Sequence, residues 1–166
     1  MNTKNANVSA NERSPRAAPR SVTALLGLLT SLFAGRVLGQ AVQRWWPQPF
    51  LPSFSAFQGS GLPYPLLLTA QLVILALMVR AVLRAGAGTL SPSRGQLKFL
   101  VAFGILYMAG SVMRIVVGFT VPASPPWFTA WIPAFFHLVL ASFVITLALH
   151  ARNRMARSAR DLGART

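Results

Sequence analysis

Four long runs of apolar residues divide the chain, at approximately 22–42, 64–83, 99–121 and 127–149. Each run is close to the length of about 20 residues that a helix needs to cross the hydrocarbon core of a bilayer. Short connections between spans of similar length favour neighbouring helices that run in opposite directions. The pattern therefore predicts an all-α polytopic membrane protein, an up-down bundle of four transmembrane helices.

The segments outside these runs differ from them in composition. Residues 1–20 are rich in Asn, Ser, Pro and Arg, which is typical of a disordered arm, and residues 151–166 form a basic tail. Residues 43–63 are crowded with Pro, Phe and Trp, so we expect an irregular loop in the head-group layer. The first apolar run is long and is not followed by an A-x-A site, which favours an uncleaved span over a signal peptide. The transmembrane domain is thus predicted over 21–150.

The positions of basic residues and tryptophans predict the orientation of the chain. Most of the 16 Lys and Arg residues lie in the arm, the second connection and the tail, whereas the first and third connections together hold only Arg44. Basic residues near span ends stay on the cytoplasmic face, and tryptophan prefers the membrane interface. All four tryptophans lie in or beside the weakly basic connections: Trp45, Trp46, Trp127 and Trp131. We predict a plasma-membrane protein with both termini cytoplasmic and with basic segments that contact anionic head groups.

Composition also excludes several classes of function. The only acids are Glu12 and Asp161, both outside the apolar runs, and the chain has no cysteine. These absences exclude disulfides, thiolate metal sites and a carboxylate-based active site within the spans. The net charge of +14 does not indicate nucleic-acid binding, because the bases flank apolar runs and form no basic face interleaved with aromatics. We predict no nucleic-acid partner, no cofactor, no metal site and no catalytic residue.

A few polar residues interrupt the spans and form the candidate ligand site. At 1.5 Å rise per residue, four of them fall in one layer about 10 to 15 Å below the outer surface: Arg36, Gln71, Arg114 and His137. Gln40 lies one turn outward of Arg36 on the same helix face and extends this layer toward the Trp-rich connections. Because the spans contain no carboxylate, the two arginines need another partner. An anionic amphiphile such as a lipid, an isoprenoid phosphate or an acidic lipophile fits, and so do snorkelling to head groups and contact with another subunit.

These residues lead to two hypotheses about function. We favour a small, non-enzymatic membrane protein that binds or moves an anionic amphiphile, or that serves as an accessory subunit of a complex. The alternative is a membrane enzyme acting on a lipid or quinone with His137 as acid/base. His150 lies roughly 20 Å from His137 along the same helix, which disfavours a bis-histidine haem and leaves a single axial ligand open.

Small residues on two of the predicted helices indicate close helix packing. Gly27, Ser31, Gly35 and Gly39 recur every four residues on the first helix, a spacing that lets two backbones approach in lipid. The third helix has Gly104, Ser111 and Gly118 at seven-residue spacing. We expect these two helices to pack against each other, although Gly and Ser are also common in membrane helices generally. Homo- or hetero-oligomers remain open.

Overall fold

Helices make up nearly all the regular structure of the computed structural model, which describes residues 20–58, 61–121, 128 and 130–163. The principal helices are α1 (Arg20–Trp45), α2 (Phe54–Phe57), α3 (Tyr64–Gly86), α4 (Arg94–Thr120) and α5 (Trp131–Gly163). All except α2 are long and apolar enough to cross a membrane, and no strand occurs among the described residues. The predicted all-α fold with four candidate spans is confirmed.

Two helices have ends that differ from the predicted ones. Helix α4 starts earlier because of a local cap, and helix α5 continues beyond its apolar run. Helix α4 begins at Arg94, ahead of the predicted 99, because Ser93 and Gln96 form a capping box. The Ser93 hydroxyl accepts from the Gln96 amide at 3.2 Å, and the Gln96 side chain accepts from the Ser93 amide at 2.9 Å. Helix α5 starts at Trp131 and continues to Gly163, well into the predicted tail. Arg20, assigned to the arm, starts α1, while the predictions for 1–19 and for Trp127 lie outside the described residues.

The long helices pack in the order α3, α1, α5, α4, with antiparallel neighbours. The start of α1 meets the end of α3, where a Cβ at Gly86 would lie 3.5 Å from the Thr23 methyl group. This end of the bundle, where α5 also finishes, is called the basic end, and the opposite one, where α3 and α5 begin, is called the aromatic end. No comparable packing joins α3 to α4 in the described ranges, so the bundle is open along a seam between these two helices.

The buried face of α1 changes character along its length. From the basic end it presents Leu26, Leu29 and Phe33, which pack with Met78 of α3 and Phe143 of α5. The same face continues at three- and four-residue spacing to a buried arginine and a buried glutamine near the aromatic end. This face of α1 is therefore apolar toward the basic end and polar toward the aromatic end.

The glycine-rich face of α1 does not pack against α4, so the predicted contact between these helices is wrong. No atom would lie within 4 Å of a Cβ at Gly27 or Gly35, and Ser31 is exposed. The reason is that α5 lies between α1 and α4. Gly104 instead lets α4 approach α5, since a Cβ there would lie 3.0 Å from the Ile145 side chain.

The connection between α1 and α3 is more ordered than the predicted irregular loop. The short helix α2 returns into the bundle, where the buried Phe57 ring would lie 3.5 Å from a Cβ at Gly39. Aromatic side chains hold the rest of the connection: the Tyr64 ring lies 5.7 Å from Trp45 and 5.2 Å from Phe54. Among the three glycines of the α1 stripe, Gly39 is thus the one that contacts another element of the described part of the chain.

Candidate functional site

A cavity of about 240 Å³ lies between the four long helices near the aromatic end. Its wall is mainly apolar and draws residues from α1, α3, α4 and α5, including Phe33, Arg36, Gln71, Tyr107, Phe136 and His137. Because α3 and α4 both line the cavity without packing along each other in the described ranges, the seam between them leads from the outer surface of the bundle into it. Three of the five predicted site residues therefore line one cavity.

Arg36 points into the bundle and is only 9% exposed. One terminal nitrogen donates to the Phe57 carbonyl of α2 at 3.1 Å, and the other makes a long contact of 3.4 Å to Gln40 Oε1. The guanidinium also lies 5.7 Å from the centre of the Phe136 ring. Its Nε–H has no hydrogen-bond partner among the described residues. The snorkelling alternative is wrong for Arg36, because the side chain is held inside by the carbonyl, the amide and the ring.

Two buried glutamines extend this arrangement toward α3. Gln71, 5% exposed, donates to Gln40 Oε1 at 3.1 Å, and Gln40 is fully buried. Within the described part of the chain, Gln40 Nε2 and Gln71 Oε1 have no hydrogen-bond partner. Unsatisfied buried amide groups of this kind are costly, and they commonly have a water or ligand partner. We call Arg36, Gln40 and Gln71 the amide wall.

The opposite side of the cavity carries a tyrosine that sequence reasoning missed. The Tyr107 hydroxyl of α4 hydrogen-bonds to Nδ1 of His137 on α5, and the two rings meet edge to face at 5.6 Å. We call this pair the tyrosine–histidine wall. The signal was present in the sequence, because a tyrosine in the middle of an apolar span needs a partner for its hydroxyl.

Arg114 lies on the far side of the tyrosine–histidine wall from the main cavity. It is 3% exposed, so it also faces the bundle interior and does not snorkel. It lines a smaller cavity of about 130 Å³ that shares Tyr107 and His137 with the main one. Hydrogen bonds join Arg36 to Gln40 and Gln40 to Gln71, whereas Arg114 lies beside Tyr107 and His137, so Arg36 and Arg114 line different cavities.

The donor and acceptor inventory limits the chemistry of the site. Neither of the chain's two carboxylate side chains, those of Glu12 and Asp161, lies among the side chains that the structure describes. No group of three or more potential metal ligands occurs in the described residues. Two side chains of the cavity lining have a buried atom without a partner among the described residues, namely Arg36 at Nε and Gln71 at Oε1. Gln40, which bonds to both and is not part of the lining, has an unpaired Nε2 in the same part of the chain.

In comparisons with protein-family models, curated proteins and solved structures, nothing matches this chain. Its function must therefore be inferred from the site alone.

Proposed function

We propose that this chain is a small, non-enzymatic membrane protein that binds an anionic amphiphile in the cavity near the aromatic end. The observation that carries the proposal is a buried arginine at the wall of an otherwise apolar cavity, with Gln71 on the same wall and Gln40 bonded to both. Among the described residues, each of these three side chains has a buried atom without a hydrogen-bond partner. Four candidate membrane spans support a multi-pass membrane protein as the setting.

The charge of Arg36 favours an acidic head group. Its described partners are a carbonyl oxygen, an amide oxygen and a ring face, all of which are uncharged. A guanidinium binds carboxylate or phosphate through parallel charge-assisted hydrogen bonds, which are about twice as strong as neutral ones. An anion at this position would therefore complete the bonding of Arg36 and neutralise a charge that the membrane interior disfavours.

The amides add a second requirement to the head group. Gln40 Nε2 offers a donor, whereas Gln71 Oε1 requires a donor from the guest. A head group that carries both an anionic oxygen and an O–H satisfies both amides, as a monoprotonated phosphate monoester or a hydroxylated acidic lipid does.

The apolar walls and the seam favour an amphiphile over a small soluble anion. The cavity of about 240 Å³ is somewhat smaller than typical sites for drug-sized ligands, which are about 300 to 1,000 Å³. It therefore suits a head group and the first part of a chain. The rest of the chain would leave through the seam between α3 and α4, where exposed Leu66 and Leu106 face the surroundings.

The proposal also includes the membrane in which the protein lies and the direction in which its helices cross it. The basic end, with the end of α3, the start of α4 and the arginine-rich end of α5, belongs on the cytoplasmic side of the plasma membrane by the positive-inside rule. The site then lies in the outer half of the bilayer. Transport of the amphiphile and an accessory role in a larger complex are both compatible with this placement.

The hydrogen bond between Tyr107 and His137 favours one second candidate, a membrane enzyme acting on a lipid or quinone. A hydroxyl paired with an imidazole is a means of moving a proton to or from a bound carbonyl or phenol. This candidate assigns His137 as acid/base and predicts that the His137→Gln variant loses turnover while it keeps binding.

Binding of a defined probe tests the proposal. A dodecyl phosphate, a dodecyl alcohol and a dodecyl trimethylammonium ion share one chain and differ in charge, so calorimetric titrations in a nonionic detergent isolate the head group. We expect saturable binding of one phosphate amphiphile in this cavity, which Arg36→Leu removes, and no binding of the cation there. Equal binding of all three probes would contradict the proposal, because the site would then recognise only the alkyl chain.

A further inference from the structure

A second cavity, of about 310 Å³, lies at the basic end of the bundle between the start of α1 and the end of α5. Its lining combines apolar side chains of α1 with polar and basic side chains of α5: Val22, Leu25, His150, Asn153, Arg154 and Arg157. It shares no lining residue with the cavity near the aromatic end. The inference below is therefore independent of the proposed function.

The α5 side of this cavity is one continuous helix face. Positions 146, 149, 150, 153, 154 and 157 line it, and they repeat at three- and four-residue spacing. Thr146 and Leu149, which are uncharged, come first on this face, and imidazole, amide and guanidinium groups follow toward its end. This change from uncharged to basic along one groove matches the change from acyl chain to head group in a phospholipid.

Two side chains in this groove have unused hydrogen-bonding atoms. His150 is 7% exposed, and its Nε2 has no partner among the described residues. Arg154 donates through one terminal nitrogen to the Gly88 carbonyl at 2.7 Å, which fixes the guanidinium at the end of α3. Its other terminal nitrogen is buried and has no partner in the described part of the chain. A fixed arginine with a free donor is prepared for an anion.

The Gly88 carbonyl that holds Arg154 depends on an unusual backbone. Gly88 follows the end of α3 with φ of 68°, in the left-handed region that glycine adopts without strain. In this turn, the Thr89 amide donates to the Arg84 carbonyl at 3.0 Å. The turn therefore presents the Gly88 carbonyl toward α5. Because Arg154 donates to this carbonyl, the turn after α3 fixes the position of the guanidinium.

We propose that this groove binds the phosphate of an anionic phospholipid, with His150, Arg154 and Arg157 around the phosphate and Asn153 beside it. Leu25 and Leu149 are exposed next to these groups and provide an apolar surface for the acyl chain. A soluble phosphate would use the basic groups and leave this apolar surface unpaired, so the groove fits a lipid better. By the orientation given above, the lipid belongs to the cytoplasmic leaflet, which is rich in anionic head groups.

Native mass spectrometry of the full chain in a mild detergent tests this site by titration with phosphatidylglycerol. Phosphatidylcholine with the same acyl chains serves as the zwitterionic control, and soluble glycerol phosphate tests the head group alone. We expect phosphatidylglycerol to bind at least about fivefold more tightly than phosphatidylcholine. Glycerol phosphate should neither bind nor compete. If glycerol phosphate competes with the lipid, the site recognises a free anion and the lipid assignment is wrong.

Single variants place the binding within the groove. Arg157→Gln removes one charge from its lining and should weaken phosphatidylglycerol binding about fivefold. Arg152→Gln removes the same charge from an exposed position on the opposite face of α5 and should leave the affinity unchanged. His150→Leu removes Nε2 at similar volume and should also weaken binding. Equal losses in the Arg157 and Arg152 variants would overturn the proposal, because the attraction would then be general and not confined to the groove.

Discussion

The two walls of the cavity near the aromatic end use their polar groups in different ways. In the amide wall, Arg36 and Gln71 both bond to Gln40, yet each of the three side chains retains a buried atom without a partner among the described residues. In the tyrosine–histidine wall, the Tyr107 hydroxyl and His137 Nδ1 satisfy each other. The first wall thus keeps unused bonding atoms in the described part of the chain, whereas the second is bonded internally. In the proposed function, the amide wall on α1 and α3 therefore binds the head group. The tyrosine–histidine wall on α4 and α5 serves helix packing or proton transfer.

The walls also differ in how the fold holds them. The amide wall is fixed by a loop, since Arg36 donates to the Phe57 carbonyl of α2. The tyrosine–histidine wall is fixed by close helix packing, since Gly104 lets α4 lie against α5. Entry of an anion at Arg36 would compete with the Phe57 carbonyl, so binding and the position of α2 are coupled in this account.

The largest expected effect comes from removing the charge of the amide wall. Arg36→Leu should weaken binding of dodecyl phosphate about 100-fold, the loss expected for a buried charge-assisted contact. Calorimetric titration measures this change. Arg36→Lys keeps the charge without the planar fork and should lie between wild type and Arg36→Leu.

A matched control for this prediction is Arg80→Leu. Arg80 is also in a candidate span, but its side chain is exposed on α3. The Arg80→Leu variant should bind dodecyl phosphate with the wild-type affinity. Equal losses for the Arg36 and Arg80 variants would remove the distinction between the amide wall and the rest of the protein.

The second prediction separates the walls through packing. Gly104→Leu places a side chain where a Cβ would already lie 3.0 Å from Ile145, so it should destabilise the α4–α5 pair by about 1 to 3 kcal/mol. Binding of dodecyl phosphate to the protein that remains folded should change little, because the amide wall lies on α1 and α3. Thermal unfolding in detergent, followed by circular dichroism, measures the stability.

Gly35→Leu is the control for this packing effect. No atom would lie within 4 Å of a Cβ at Gly35, so the variant should unfold at the wild-type temperature. A loss of stability equal to that of Gly104→Leu would contradict this. It would show that the glycine stripe of α1 packs against a helix of another subunit.

A smaller effect is expected from the amide contact between α1 and α3. Gln71→Leu removes the bond to Gln40 and the free acceptor that a guest hydroxyl needs, so binding of dodecyl phosphate should weaken about fivefold to tenfold. Thr69→Val on the same helix is the control, because the Thr69 hydroxyl only donates to the Pro65 carbonyl within α3. Comparable losses in both variants would indicate a general effect on α3.

The smallest effect is expected in the tyrosine–histidine wall. His137→Gln keeps a polar side chain at this position and leaves the amide wall intact. Dodecyl phosphate should bind it within about twofold of wild type, because the charge-assisted contacts lie elsewhere. A large loss of affinity would mean that both walls hold the head group, and loss of a turnover activity would favour the enzyme candidate.

The hydrophobic pattern was sufficient to predict the spans, because membrane helices require long apolar runs. Pattern alone could not give their packing order, since apolar faces in lipid lack the strong burial preference that orients helices in water. For this reason the expected contact of Gly35 and its neighbours with α4 was wrong. The exposed capping box at Ser93 was readable from sequence and was missed.

The candidate site was predicted in part for a similar reason. Helix rise places residues in depth but leaves their rotation about the helix axis open, so Arg36 and Arg114 were assigned one layer and not two cavities. The role of the Phe57 carbonyl depends on a return of the loop into the bundle, which no periodicity in that segment indicates. Tyr107 was overlooked because it lies within an apolar run.

The central claim is that Arg36 holds an anionic amphiphile inside the bundle. Its most direct test is native mass spectrometry of protein extracted gently from its own membrane, comparing wild type, Arg36→Leu and Arg80→Leu. The account predicts a discrete acidic species on the wild type and on the Arg80 variant that is missing from a folded Arg36 variant. An identical set of bound acidic species on all three proteins, or no acidic species on the wild type, would contradict it.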